Sequence, residues 1–144
     1  MGMFDAINSA ASGLSAERLR MDVISNNIAN VNTTRTASGG PYRRQVVIFE
    51  PRAGQASFAQ VLSQQMDSGQ GVRAVGITGD NSPLRNVYDP NHPDANAEGY
   101  VQMPNVNVVA EMVDMITATR AYEANVTSVN AAKNMAMQAL EIGK

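Results

Sequence analysis

His92, the only histidine in the chain, sits in the loop DPNHPDANAEG with Asp89, Asp94 and Glu98 close by. An imidazole among carboxylates is the kind of set that binds a cation or relays a proton. The spacing argues against both. The carboxylates do not follow the ligand positions of a calcium loop, and Pro90 and Pro93 stiffen places where such a loop needs freedom. A single histidine cannot supply a two-histidine metal site or a histidine-based relay within one chain. The expectation is therefore a hydrogen-bonded surface loop. Ser9, Ser12 and Ser15 read as polar helix-surface residues, since no nucleophile elbow, phosphate-binding loop or dinucleotide fingerprint accompanies them. There is no cysteine, hence no disulfide and no thiolate metal site. The reading is of a protein that is not an enzyme, takes no cofactor and no metal, and has a binding or structural role.

Charge narrows the partners further. The formal net charge is −2 and the isoelectric point about 5.3, which disfavours a nucleic-acid groove or a polybasic membrane patch. Arg43 and Arg44 form the one adjacent basic pair and read as a solvated strand edge. No apolar run approaches the roughly 20 residues of a membrane span, so no membrane insertion is expected. Asp5 and Asn8 break the basic-then-apolar layout of a cleaved secretory signal. The protein either stays in the cytosol or leaves by a route that reads something else.

The elements that would present a binding surface lie at the two ends. From Val108 to Leu140 an uninterrupted helical stretch carries Val108, Met112, Met115, Thr119, Tyr122, Val126, Val129, Lys133, Ala136 and Leu140 at alternating spacings of four and three. That heptad rhythm favours packing against another long helix, and the stretch would extend roughly 50 Å. Asn107 can cap its start after Pro104, Glu111 suits the positive end of the helix dipole, and Gly143 and Lys144 suit the other end. In the first thirty residues Phe4, Ile7, Ala11, Leu14, Met21 and Ile28 repeat the rhythm, with Arg18 and Ser25 in the intervening seam positions. This helix should end near Asn30 to Asn32, where asparagine, serine and threonine side chains compete for backbone hydrogen bonds.

The middle is small and open. YRRQVVIFEP, VRAVGIT and RNVYD read as strands, SFAQVLSQQM as a short amphipathic segment with Phe58, Val61, Leu62 and Met66 on one face, and DPNHPDANAEG as loop. The fold class is α+β, mainly α: long terminal helices paired in a coiled-coil-like arrangement around a small β-containing insert. The divisions are residues 1–32, an N-terminal helix; 33–104, the insert; and 105–144, a C-terminal helix, with the two helical parts together forming the core helical domain. Met112 and Met115 read as seam filling, whereas Met135 and Met137 lie beside the seam and point to contact with a second molecule.

These residues carry a family likeness. SGLSAERLRMDVISNNIANVNTTRT resembles the N-terminal signature of bacterial flagellar rod and hook proteins, with its asparagines at Asn26, Asn27, Asn30 and Asn32. NVVAEMVDMITATRAYEANV, which holds Arg120, Tyr122, Glu123 and Asn125, resembles the matching C-terminal signature together with ALEIGK. GGPYRRQVVIFE and VYDPNHPDANAEGYVQMPNVNVVAEMVDM are similar to the proximal-rod protein of the FlgC family, and the length agrees. The resemblance implies a periplasmic axial subunit of the flagellar basal body, exported by the flagellar type III apparatus without a cleaved signal peptide. Its implied partners are other copies of itself, neighbouring rod proteins, the rod-base adapter and the export apparatus. Two other classes fit parts of the sequence: a helical adapter or export chaperone using the terminal seams, and a carbohydrate-binding module with a pocket around Tyr88, Asp89, Asp94 and Tyr100.

Overall fold

A computed structural model describes residues 3–37, 39–52 and 71–142. Its elements are helix α1 (Met3–Ala29), strands β1 (Gln45–Pro51), β2 (Val72–Gly79), β3 (Arg85–Tyr88) and β4 (Tyr100–Met103), and helix α2 (Val108–Ile142). Two long terminal helices thus flank a small central insert of two two-stranded sheets, β1–β2 and β3–β4. The amphipathic segment expected around Phe58 to Met66 and the end signals Gly143 and Lys144 lie outside the described residues.

Local chemistry explains where the helices stop and start. At the end of α1 the Asn30 amide Nδ2 donates to the carbonyl of Asn26 (2.9 Å), and Asn30 Oδ1 receives the Thr33 hydroxyl (3.1 Å). Side chains thereby take the bonds that further helix would have used. At the start of α2 Asn107 Oδ1 accepts the N–H groups of Val109 (3.0 Å) and Ala110 (3.4 Å), the cap expected from its position. β4, in YVQM, is a further strand, beyond those expected from the sequence. It pairs antiparallel with β3 in the register Arg85↔Met103, Asn86↔Gln102, Val87↔Val101 and Tyr88↔Tyr100. Four residues that alternate between exposed and covered carry too little pattern to be seen without the partner strand.

The chain divides into two compact units, each drawing on both helices. The first comprises residues 1–19, 48–76 and 118–144. Among the described residues its buried side chains are small: Ser12, Ala16, Ala118 and Ala132. Gly13 lies so close to Asn125 that a Cβ there would come within 2.8 Å of the amide nitrogen. Ser12 Oγ donates to the Ser9 carbonyl (2.7 Å) and accepts the N–H of Val72 (3.0 Å), which ties the start of β2 to α1. Gly71, just before it, has φ +92°, and a Cβ at that position would stand 2.2 Å from the Ser12 hydroxyl. Only glycine fits there without strain.

The second unit comprises residues 20–47 and 77–117. Val23, Ile24, Val101, Pro104 and Val106 are buried in it, together with two polar side chains, Asn27 and Glu111. Polar groups at the centre of so small a core must be fully hydrogen-bonded.

Candidate assembly surface

Arg44 organises the centre of the second unit. Its Nε donates to Glu111 Oε1, its Nη2 lies 3.3 Å from Asp114 Oδ2, and its Nη1 lies 3.8 Å from Asp80 Oδ2. The hydrogen bond to Glu111 holds the guanidinium pKa above its usual value against the opposing effect of burial, with all three carboxylates adding to the rise. Asp80 is pushed below the ordinary aspartate value, first by the Ser82 hydroxyl, then by the Ser82 backbone N–H, with smaller help from Arg44 and Arg43. Arg43 is exposed, as expected of a solvated edge. Arg44 is not: the ion pairs correct that reading for this residue, because its partners come from distant parts of the chain.

Asn27, buried at 1% exposure, uses its whole amide. Nδ2 donates to Glu111 Oε2 (3.0 Å) and to the Gln45 carbonyl (2.9 Å), while Oδ1 accepts the Gln45 N–H (2.8 Å) and the Tyr42 hydroxyl (2.9 Å). Two donors and two acceptors are the full capacity of the group. Asn105 plays a similar part, accepting the Arg44 N–H (2.8 Å) and donating to the carbonyls of Asp80 (3.1 Å) and Ser82 (3.3 Å). The last turn of α1, the chain entering β1 and the first turn of α2 are therefore fastened by one polar joint. Of its members the sequence reading singled out Asn27 through the family signature and Glu111 through the helix dipole, and it missed the roles of Arg44, Tyr42 and Asn105. No local pattern marks them, since their bonds within the joint reach from 15 to 67 residues along the chain.

The seam residues fall into two groups. On α1, Ile7, Leu14, Met21 and Ile28 are half-buried, whereas Phe4 (73% exposed) and Ala11 face solvent. On α2, Met115, Tyr122, Val129 and Ala136 are half-buried, whereas Val108, Met112, Val126 and Leu140 (75%) are exposed. The positions most deeply covered within the chain are Ser12, Ala16, Val23, Ile24 and Asn27 on α1, and Glu111, Ala118 and Ala132 on α2. Small side chains let the helix backbones approach, so bulk alone points one position to the side of the innermost residue. The signature residues are similarly divided. Asn27 is buried, Asn30, Tyr122 and Asn125 are half-buried, and Asn26, Asn32, Arg120 and Glu123 are exposed.

Much apolar surface is left uncovered by the chain itself. In the second unit Val109, Met112, Val113 and Ile116 lie at i, i+3, i+4 and i+7 on α2, all more than half exposed. In the first unit Met135, Met137 and Leu140 are exposed near the end of α2. The stripe in the second unit has the i, i+3, i+4, i+7 spacing that, as a rule, marks an interaction surface. The loop around His92 is instead occupied with its own turns: Asp94 N–H donates to His92 Nδ1 (3.1 Å), Asn91 N–H to Asp89 Oδ1 (3.2 Å), and Thr34 Oγ1 to Asp94 Oδ2 (2.8 Å). Tyr88 and Tyr100 meet edge to face, with ring centroids 5.3 Å apart. Tyr100 and Asp94 border a polar groove of about 550 Å³.

Comparison with known proteins places this surface in context. A family model described as flagella basal body rod protein matches residues 7–35, and one described as flagellar basal body rod FlgEFG protein C-terminal matches residues 97–142. The flagellar basal-body rod protein FlgC of Borreliella burgdorferi is 54% identical over 99% of this chain and 98% of its own length. The chain belongs to the FlgC family. FlgC of Bacillus subtilis is 50% identical and FlgC of Salmonella typhimurium 35% identical, each over the whole of both chains. The two model matches take in Asn27 and Glu111, the helix-borne partners of the joint, while Tyr42, Arg44 and Asp80 fall between them.

Proposed function

We propose that this FlgC-family chain is a structural subunit of the proximal part of the flagellar basal-body rod and assembles through its terminal helices into the tubular shaft. The observation that carries the reading is the full-length similarity to FlgC rod proteins, together with helix faces that the chain leaves apolar and exposed. An enzyme would need a constellation of reactive groups. This chain instead spends its buried polar residues on fastening its elements to one another.

In this reading residues 1–32 and 105–144 form the core helical domain and residues 33–104 the insert. The half-buried members of the seam, Ile7, Leu14, Met21, Ile28, Met115, Tyr122, Val129 and Ala136, lie along the edges of the intrachain contact. Phe4, Ala11, Val108, Met112, Val126 and Leu140 face neighbouring subunits. Partners are further copies, other rod proteins and the rod-base adapter, reached in the periplasm after export by the flagellar type III apparatus without a cleaved signal. Deleting the gene in the native host and imaging envelopes by electron cryotomography tests the proposal. Loss of the rod beyond its base, with membrane ring and export machinery retained, is expected; complete rods in the deletion strain would overturn it.

A further inference from the structure

We propose that this chain carries a second binding surface, a saccharide groove on the β3–β4 ribbon that takes an uncharged glycan chain. In an antiparallel pair, residues directly opposite each other put their side chains on the same face. The register Asn86↔Gln102 and Tyr88↔Tyr100 therefore sets two amides and two phenols on one face, while Val87 and the buried Val101 take the other. All four polar-face residues are exposed, Tyr88 at 65% and Tyr100 at 45%. The polar groove of about 550 Å³ opens on this face, with Asn86, Tyr100 and Gln102 along it. Arg35 reaches it from the segment after α1, and Asp94 and Glu98 from the loop between β3 and β4. All of these residues belong to the second unit.

The groove is held in shape by its own bonds. The Thr34 hydroxyl donates to Asp94 Oδ2 (2.8 Å) and so ties the two loops together. Asn96 Oδ1 accepts the N–H groups of Glu98 (3.0 Å) and Tyr100 (2.8 Å), which fixes the chain as it enters β4. Gly99, at φ +80°, lets the Tyr88 ring rest on that turn, where a Cβ would stand 2.9 Å from Tyr88 Cε2. The edge-to-face contact then sets Tyr100 against Tyr88. A site positioned in advance loses little freedom on binding.

The lining selects the ligand. A pyranose ring has an apolar C–H face and a rim of hydroxyl groups. Tyrosine rings match the face, and amides that donate and accept at once, with a guanidinium and two carboxylates, match the rim. One cation against two carboxylates disfavours a phosphate or another polyanion. Among the described residues no valine, leucine, isoleucine or methionine lines the groove, so it lacks the apolar pockets that anchor a helix or peptide.

Nuclear magnetic resonance of the labelled full chain, titrated with tetra-N-acetylchitotetraose and in parallel with cellotetraose, tests the proposal. Saturable shifts are expected at the Asn86 and Gln102 side-chain amides and at the Tyr100 ring, with a dissociation constant of about 1 mM. Tighter binding of the first sugar would assign acetamido groups to the ligand, and equal binding a plain hexose chain. Tyr100→Ala should weaken binding about tenfold, and Tyr100→Phe much less because the ring is kept. Asn86→Ala and Gln102→Ala, at exposed positions, should each weaken it several-fold while the Val23 and Glu111 amide resonances stay in place. No shift in the groove with either sugar, or affinity unchanged in Tyr100→Ala and Gln102→Ala, would overturn the proposal. Crosslinking of Gln102→Cys, the one thiol in such a chain, to another rod polypeptide in isolated basal bodies would overturn it too, by putting a protein in the groove. None of these outcomes bears on the rod reading.

Discussion

Removing the Arg44 side chain would leave the Glu111 carboxylate, 0% exposed, without its cation. Breaking one partner of a buried pair costs about 3–5 kcal/mol, so Arg44→Ala should lower the stability of the free chain by that order in urea denaturation. Arg44→Met combined with Glu111→Gln should regain part of the loss. The charge is then gone from both sides, and the glutamine oxygen still accepts from Asn27. Tyr42 gives a pH-dependent counterpart. Burial, and secondarily Glu111, raises its phenol above the ordinary 10.0. Below that value both folded and unfolded chains hold the proton, and the contribution is complete. As pH rises through the elevated folded pKa the unfolded chain has released its proton first, so stability falls. Tyr42→Phe should therefore flatten the alkaline limb of a stability profile. It should also cost about 1 kcal/mol at neutral pH for the lost hydrogen bond to Asn27.

At the scale of elements, the sequence makes the two terminal helices plain because capping residues, apolar rhythm and the absence of interior proline all agree. The position of the buried stripe is harder to read. Val108, Met112 and Val126 dominate any reading based on bulk, yet the most covered residues of α2 are Glu111, Ala118 and Ala132. Alanine at a helix contact looks like alanine on a helix surface until the facing residue is known. The distinction separates folding from assembly. Ala118→Asp places a charge at a fully buried position and should cost several kcal/mol, seen as loss of cooperative unfolding in the free chain. Val126→Asp, at a position 37% exposed, should cost the free chain about 1 kcal/mol, well below the cost of Ala118→Asp. In the proposed rod it would still abolish swimming, because that side chain faces a neighbour. Normal motility of the Val126→Asp strain would mean that this face meets nothing.

For the whole molecule, what the sequence discloses depends on how far apart the cooperating residues lie. Asn107 caps a helix two residues away, and that bond is legible. The joint of Asn27, Tyr42, Arg44, Asp80, Asn105 and Glu111 joins residues from four separate stretches, and no periodicity records it. The same division governs how the free subunit should behave. The second unit has a fully satisfied polar joint over a small valine, isoleucine and proline core, whereas the described core of the first unit rests on alanine and serine. Little apolar area is buried by alanine, and long helices draw most of their stability from packing. Hydrogen exchange on the free chain should then show slow amides at Gln45 and Glu111 and fast exchange along residues 126–141 of α2. Incorporation into the rod should slow that stretch by at least about a hundredfold, equivalent to roughly 2.7 kcal/mol, as neighbours cover Val126, Met137 and Leu140. Equal protection of both units in the free chain would show that the terminal helices are ordered without partners. Their exposed apolar faces would then serve recognition alone and contribute nothing to folding.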